Sequence, residues 1–174
     1  MKKSQVIWVG SLAIAGSVAL IIYYMIGQDG SRETLKVKES KTPNNEIIEI
    51  EEANAVPSDK EFPINMNESD MQNAIHGMSH QKVEAEDKWG FIPLTSERIK
   101  RLIAVLQHNQ ENYEHYRTYK EILDRWNDND FSKVDHDHNR IWELQNGNVG
   151  KATGILSAEE EKEFIEEHYN IERK

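Results

Sequence analysis

The sequence predicts an all-α protein in three parts. These are an N-terminal transmembrane helix (residues 1–27), a flexible charged linker (28–61) and a small C-terminal bundle of about five helices (62–174). Three observations carry this reading. The run "VIWVGSLAIAGSVALIIYYMI", Val6 to Ile26, contains no charged residue. The stretch from Gln28 to Glu61 is rich in charge and has no aromatic residue. Beyond it, apolar residues recur at the three- and four-residue spacing of a helix face, between polar caps and glycines.

As a helix, Val6 to Ile26 would extend roughly 32 Å, enough for a hydrocarbon core of about 30 Å. Trp8 and Tyr23-Tyr24 stand near its ends, where amphipathic rings favour the headgroup region. The apolar run is longer than the core of a cleaved signal peptide and closes on bulky "IIYYMIG" instead of small residues. An uncleaved anchor is therefore expected. The flank "MKKSQ" is more basic than "GQDGS", which places the N-terminus inside and the C-terminal domain outside. Ser11, Ala15 and Ala19 recur at every fourth position, a spacing that lets two membrane helices approach closely and offers a route to a homodimer.

The linker carries too little apolar surface to offset the entropy of ordering it, so it reads as a solvated stalk. Only "EIIEIEE", Glu46 to Glu52, has the makings of a short strand or helix, formed on contact with a partner.

In the C-terminal part, Asn67 or Ser69 caps a first helix whose stripe is Met71, Ala74, Ile75 and Met78. Thr95 or Ser96 caps a second, with Ile99, Leu102, Ile103 and Leu106 inward; Trp89, Phe91 and Pro93 form a packed loop between the two. A third carries Tyr119, Ile122, Leu123 and Trp126. With Tyr113 and Tyr116 these residues read as a core stripe and its rim, or as a binding groove. The fourth has Ser132 as cap, with Asp135 in a capping-box position, and buries Phe131, Val134, His138, Ile141, Trp142 and Gln145. Ser157 and Glu160 form a capping box for the last, which turns Phe164 and Ile165 inward. No alternating run is long enough to predict a sheet.

Composition narrows the function. Acidic residues outnumber basic ones 31 to 21, for a formal net charge of -10, which argues against a nucleic-acid partner. Cysteine is absent, so disulfides, thiol nucleophiles and cysteine-ligated zinc are excluded. "NGNVGKATG" superficially resembles a phosphate loop. However, only Asn148 and Val149 separate Gly147 from Gly150, Ala152 follows Lys151, and a helix precedes it where a phosphate loop needs a strand. Its glycines read as helix termination and tight bends. No catalytic residue and no cofactor is indicated.

The one constellation with chemistry is histidine-based. His76 and His80 stand at i, i+4, and "DHDHN" runs from Asp135 to Asn139. A zinc, manganese or iron site could be assembled from His76, His80, Asp135 and His138. Against it, residues 135 and 137 point about 200° apart on a helix, His138 lies on the apolar stripe, and His76 lies off its own stripe toward solvent.

Three blocks, "FPINMNESDMQNAIHGMSHQKV", "KWGFIPLTSERI" and "DHNRIWELQNGNVGKATGILSAEEEKEFI", resemble uncharacterised single-span proteins of Gram-positive bacteria that end in a domain of unknown function. The resemblance implies an anchor, stalk and domain arrangement, and transfers no active-site residue. The expected role is a membrane-anchored, extracytoplasmic protein-binding or regulatory module, more readily a binder than an enzyme. Its partner would be another envelope protein, contacted through Trp89, Phe91, Asn148 and Lys151. The alternative is a metal-binding protein or metal-dependent enzyme using the histidines.

Overall fold

A computed structural model describes residues 35–42, 45–52 and 56–169. The expected membrane anchor and its expected dimerisation face, Ser11, Ala15 and Ala19, lie outside the described residues. Among those described, no helix is long and apolar enough to cross a membrane.

In chain order the elements are β1 (Leu35–Thr42), β2 (Asn45–Glu52), α1 (Ser58–Glu61), α2 (Glu68–Ser79), β3 (Val83–Glu84), α3 (Ser96–His108), α4 (Tyr116–Asn127), α5 (Val134–Leu144), β4 (Gly154–Ile155) and α6 (Ala158–His168). The five expected helices are present, and helix dominates. The sheet content corrects the sequence reading. β1 and β2 form an antiparallel hairpin inside the segment expected to be a flexible stalk. Its register sets Lys36 opposite Glu51, Lys38 opposite Glu49 and Lys41 opposite Glu46. The alternation in "EIIEIEE" then places Ile48 and Ile50 on one face, where both are buried with Ile165 of α6. The partner this strand requires is thus supplied by the chain itself.

The main core is built from the predicted stripes. Met71, Ile75 and Met78 of α2, Leu102 and Leu106 of α3, and Tyr119, Ile122, Leu123 and Trp126 of α4 are almost entirely buried. Each such side chain contributes about 1.5–3 kcal/mol of transfer free energy. On α3, Val105 takes the fully buried position and Ile103 packs at the margin.

Capping fixes where three helices begin. Asn67 Oδ1 accepts from Asp70 N–H at 2.9 Å, Thr95 Oγ1 accepts from Arg98 N–H at 3.2 Å, and Ser157 and Glu160 form the expected capping box. α5 departs from expectation. Its cap is Lys133, without a side-chain cap bond, because the Ser132 backbone and hydroxyl are both engaged by Asp130 Oδ1, at 3.1 and 2.6 Å.

Two buried polar networks lock the frame around the ends of α2 and α5. Lys82 Nζ and Gln81 Nε2 both donate to Glu161 Oε1, at 2.7 and 2.8 Å, and Gln81 Oε1 accepts from Leu94 N–H at 3.1 Å. This ties the chain leaving α2 to α6 and to the loop before α3. Asp137 accepts from the Arg125 guanidinium and from Trp126 Nε1, which fixes α5 against α4. β3 and β4 add a clip, pairing Val83 with Ile155 and Glu84 with Gly154.

Candidate metal centre

His76 sits in the last turn of α2 and His80 caps that helix, so their i, i+4 spacing puts both rings on one side of its C-terminal end. α5 packs there and brings in His138. The His76 ring centroid lies 4.7 Å from that of His80 and 4.5 Å from that of His138, and the His80 and His138 centroids are 5.4 Å apart. One ring nitrogen from each of the three lies within 4.8 Å of the others. His80 and His138 are buried and His76 half-buried, which corrects the expectation that His76 faces solvent. Its position off the α2 stripe is what turns it toward α5.

The hydrogen bonds orient all three rings the same way. His76 Nδ1 meets Gln145 Oε1 at 2.5 Å, His80 Nδ1 meets the Gly90 carbonyl at 2.7 Å, and His138 Nδ1 meets Asn139 Oδ1 at 3.1 Å. Every one of these partners is an oxygen acceptor, which favours a proton on Nδ1 in each neutral ring. Asn139 itself is held with its oxygen toward His138. Its amide donates to the Ala152 carbonyl at 2.9 Å, and its oxygen accepts from Ala152 N–H at 2.8 Å.

In that tautomer each Nε2 carries a lone pair. His76 Nε2 and His138 Nε2 stand 3.0 Å apart. Two lone pairs at that separation repel unless a proton or a cation lies between them. Burial lowers the pKa of all three imidazoles, His80 to about 3 and His138 to about 4, with the neighbouring rings adding to the effect for those two. At neutral pH the three are uncharged, the form that binds metals.

His76 and His80 also line a pocket of about 540 Å³. Ser69, Gln72 and Asn73 contribute to its lining from α2, Gln145 from the residue after α5, and Asp87 and Trp89 from the loop before α3.

Asp135, included in the expected ligand set, does not join the three histidines. It lies at the first turn of α5, with its carboxylate 4.0 Å from Nε2 of the exposed His136. Of the expected contact residues, Trp89 is 77% exposed. Phe91 is half-buried, its ring 5.3 Å from Phe164 and 4.4 Å from His168, so it is a packing residue. Asn148 and Lys151 are exposed, and Lys151 Nζ lies 3.5 Å from Glu143 Oε1. Tyr113, Tyr119 and Trp126 are core, not a groove.

The glycine-punctuated loop serves as a structural clasp. Trp142 Nε1 donates to the Val149 carbonyl at 2.7 Å, Asn146 takes the left-handed conformation (φ 56°), and Gly150 (φ 82°) lies where a Cβ would strike the Asp87 carbonyl. Sequence reasoning missed two residues of the site, Gln145 and Asn139. Gln145 stands seven positions after His138, hence on the same helix face, and Asn139 adjoins His138, but neither spacing is distinctive by itself.

No curated protein and no solved structure matches the sequence significantly. A family model described as a family of unknown function, DUF6241, matches residues 75–166, a span that holds all three histidines, Asn139 and Gln145. The chain belongs to that family.

Proposed function

We propose that the domain binds a divalent transition-metal ion, zinc foremost, through Nε2 of His76, His80 and His138. The observation that carries this is the common orientation of the rings, with each Nδ1 turned to an oxygen and two of the freed nitrogens 3.0 Å apart. Zinc–nitrogen bonds of about 2.0–2.1 Å in tetrahedral array put neighbouring ligand atoms roughly 3.4 Å apart, so small ring movements suffice. Acceptors on the far ring nitrogens are the usual outer partners of metal-bound histidine. Three protein ligands leave a coordination position for water or a ligand, the pattern of reactive rather than purely structural sites. The pocket beside His76 and His80 gives that position access.

The geometry favours this over the reading as a protein-binding module, for which the exposed Trp89 is the remaining support. We place the domain outside the membrane, on the anchor at Val6 to Ile26. That part of the proposal rests on the uncharged run, the flank asymmetry and the resemblance to single-span Gram-positive proteins. Pairing through Ser11, Ala15 and Ala19 has the same standing.

The test is zinc competition between the full chain and a chromophoric chelator. One ion per chain is expected, lost in His138→Ala and kept in His136→Ala. Equal binding by both variants, or none by the wild type, would sink the proposal.

A further inference from the structure

The pocket next to the histidines has a chemistry of its own. Among the described residues that line it there is neither lysine nor arginine, and Asp87 is the one carboxylate. Apart from an ion on the histidines, no cationic group among those residues would attract a phosphate or carboxylate ligand. The rest of the polar lining is neutral. Gln72 spends its Nε2 on the Tyr119 hydroxyl, at 2.7 Å, which leaves Oε1 as an acceptor. Asn73 spends its oxygen on Gln145 Nε2, at 2.9 Å, which leaves its amide as a donor. Ser69 supplies a hydroxyl. Donors and acceptors of moderate strength, with one carboxylate, suit a ligand dense in hydroxyl groups.

Trp89 supplies a flat apolar face. An indole 77% exposed leaves most of its apolar surface in water. Yet both of its chain neighbours are tied to His80, the Lys88 side chain donating from Nζ to the His80 carbonyl at 3.0 Å and the Gly90 carbonyl accepting from His80 Nδ1 at 2.7 Å. The segment that carries the ring is therefore anchored to one of the histidines. A pyranose has this double character, with axial C–H groups on a face and hydroxyls around the rim.

We propose that the pocket binds a neutral carbohydrate, with one sugar ring stacked on Trp89 and its hydroxyls bonded by Ser69, Gln72, Asn73 and Asp87. The volume of about 540 Å³ is in the range of small-ligand sites and accommodates one or two rings. The proposal deepens the metal reading, on which it rests for one contact only: a sugar oxygen takes the open coordination position. The stacking and hydrogen-bonding groups belong to the protein whether or not the ion is bound.

The experiment titrates the full chain, chelated and zinc-loaded, with β-1,4-linked tetramers of glucose and of N-acetylglucosamine, and with a blocked neutral tetrapeptide. Tryptophan fluorescence and calorimetry report binding. A saccharide is expected to bind and perturb tryptophan emission, at least tenfold more weakly in Trp89→Ala, while that variant's zinc affinity stays within twofold of wild type. Zinc loading should tighten binding severalfold. If zinc binds but neither saccharide does, the carbohydrate proposal falls and the metal reading stands. If zinc fails to bind while the chelated chain takes a saccharide through Trp89, the metal reading falls and the carbohydrate site stands. Trp89-dependent binding of the tetrapeptide alone would overturn the proposal in favour of a peptide ligand.

Discussion

Asn139 offers the sharpest test of the ring-orientation argument, because one side chain serves two purposes that two substitutions separate. Its oxygen accepts from His138 Nδ1 at 3.1 Å and from Ala152 N–H at 2.8 Å, and its amide donates to the Ala152 carbonyl at 2.9 Å. Asn139→Ala removes all three bonds. Ala152 is 8% exposed, so its backbone groups lose their partners in a nearly dry setting. At about 1–3 kcal/mol for each of the two unsatisfied buried groups, stability should fall by roughly 2–6 kcal/mol. Loss of the outer partner should also weaken zinc binding about 10- to 100-fold, or roughly 1.4–2.7 kcal/mol. Asn139→Asp keeps an acceptor for both N–H groups but sets a carboxylate against the Ala152 carbonyl. It should lose about 1–3 kcal/mol of stability while holding or gaining zinc affinity, since a carboxylate makes the imidazole a better ligand. The assay pairs thermal unfolding of the full chain with chelator competition at pH 7.5. If both variants lose stability and neither changes zinc affinity, Asn139 only staples the loop and the inference that it sets the His138 tautomer is wrong.

Three further outcomes follow from the packing. His80 and His138 have folded pKa values pushed by burial to about 3 and about 4, against roughly 6.5 in the unfolded chain. The unfolded state therefore binds more protons below pH 6.5, and the stability these groups contribute is full above that value and lost as pH falls toward 4 and then 3. The chelated full chain should lose about 2–4 kcal/mol between pH 7.5 and 5, and a flat denaturation midpoint over that interval would contradict the assignment. Glu161→Ala strands the Lys82 ammonium, whose side chain is 5% exposed, and should cost about 3–5 kcal/mol in a urea melt, with most of it recovered by the paired K82M/E161L replacement. Gly150→Ala forces a Cβ onto the Asp87 carbonyl at φ 82° and should cost at least about 1–2 kcal/mol, read as a lowered Tm.

The helical framework was legible because its signals are local. Met71, Ala74, Ile75 and Met78, or Tyr119, Ile122, Leu123 and Trp126, repeat within one segment, and their burial follows from helical geometry alone. Asn67, Thr95 and Ser157 announce helix starts through atoms three residues away. The hairpin was not legible in the same way. Ile48 and Ile50 gain their burial from Ile165, more than a hundred residues later, and composition alone gave the segment nothing to fold against. Ser132 failed as a cap because Asp130, two residues earlier, competed for it. A motif reader sees the cap residue but not the competitor.

The histidine cluster shows the same division between local and long-range information. The i, i+4 pair and His138 were each visible, and each by itself has a plain reading as a solvated or core histidine. What changes their meaning is the packing of α5 on the end of α2, which closes a sequence gap of 62 residues to a nitrogen separation of 3.0 Å. The same packing explains why Asp135, attractive on spacing, drops out: its carboxylate stands beside His136 at the start of the helix, while the site forms from His138 onward, where Asn139 and Gln145 can reach it. Three desolvated imidazoles are costly to a fold unless something repays their lone pairs. Leucine or phenylalanine at positions 80 and 138 would pack a helix junction at lower cost. On the proposed reading, Gln145, Asn139 and a backbone carbonyl orient the three rings for an ion that would offset that cost.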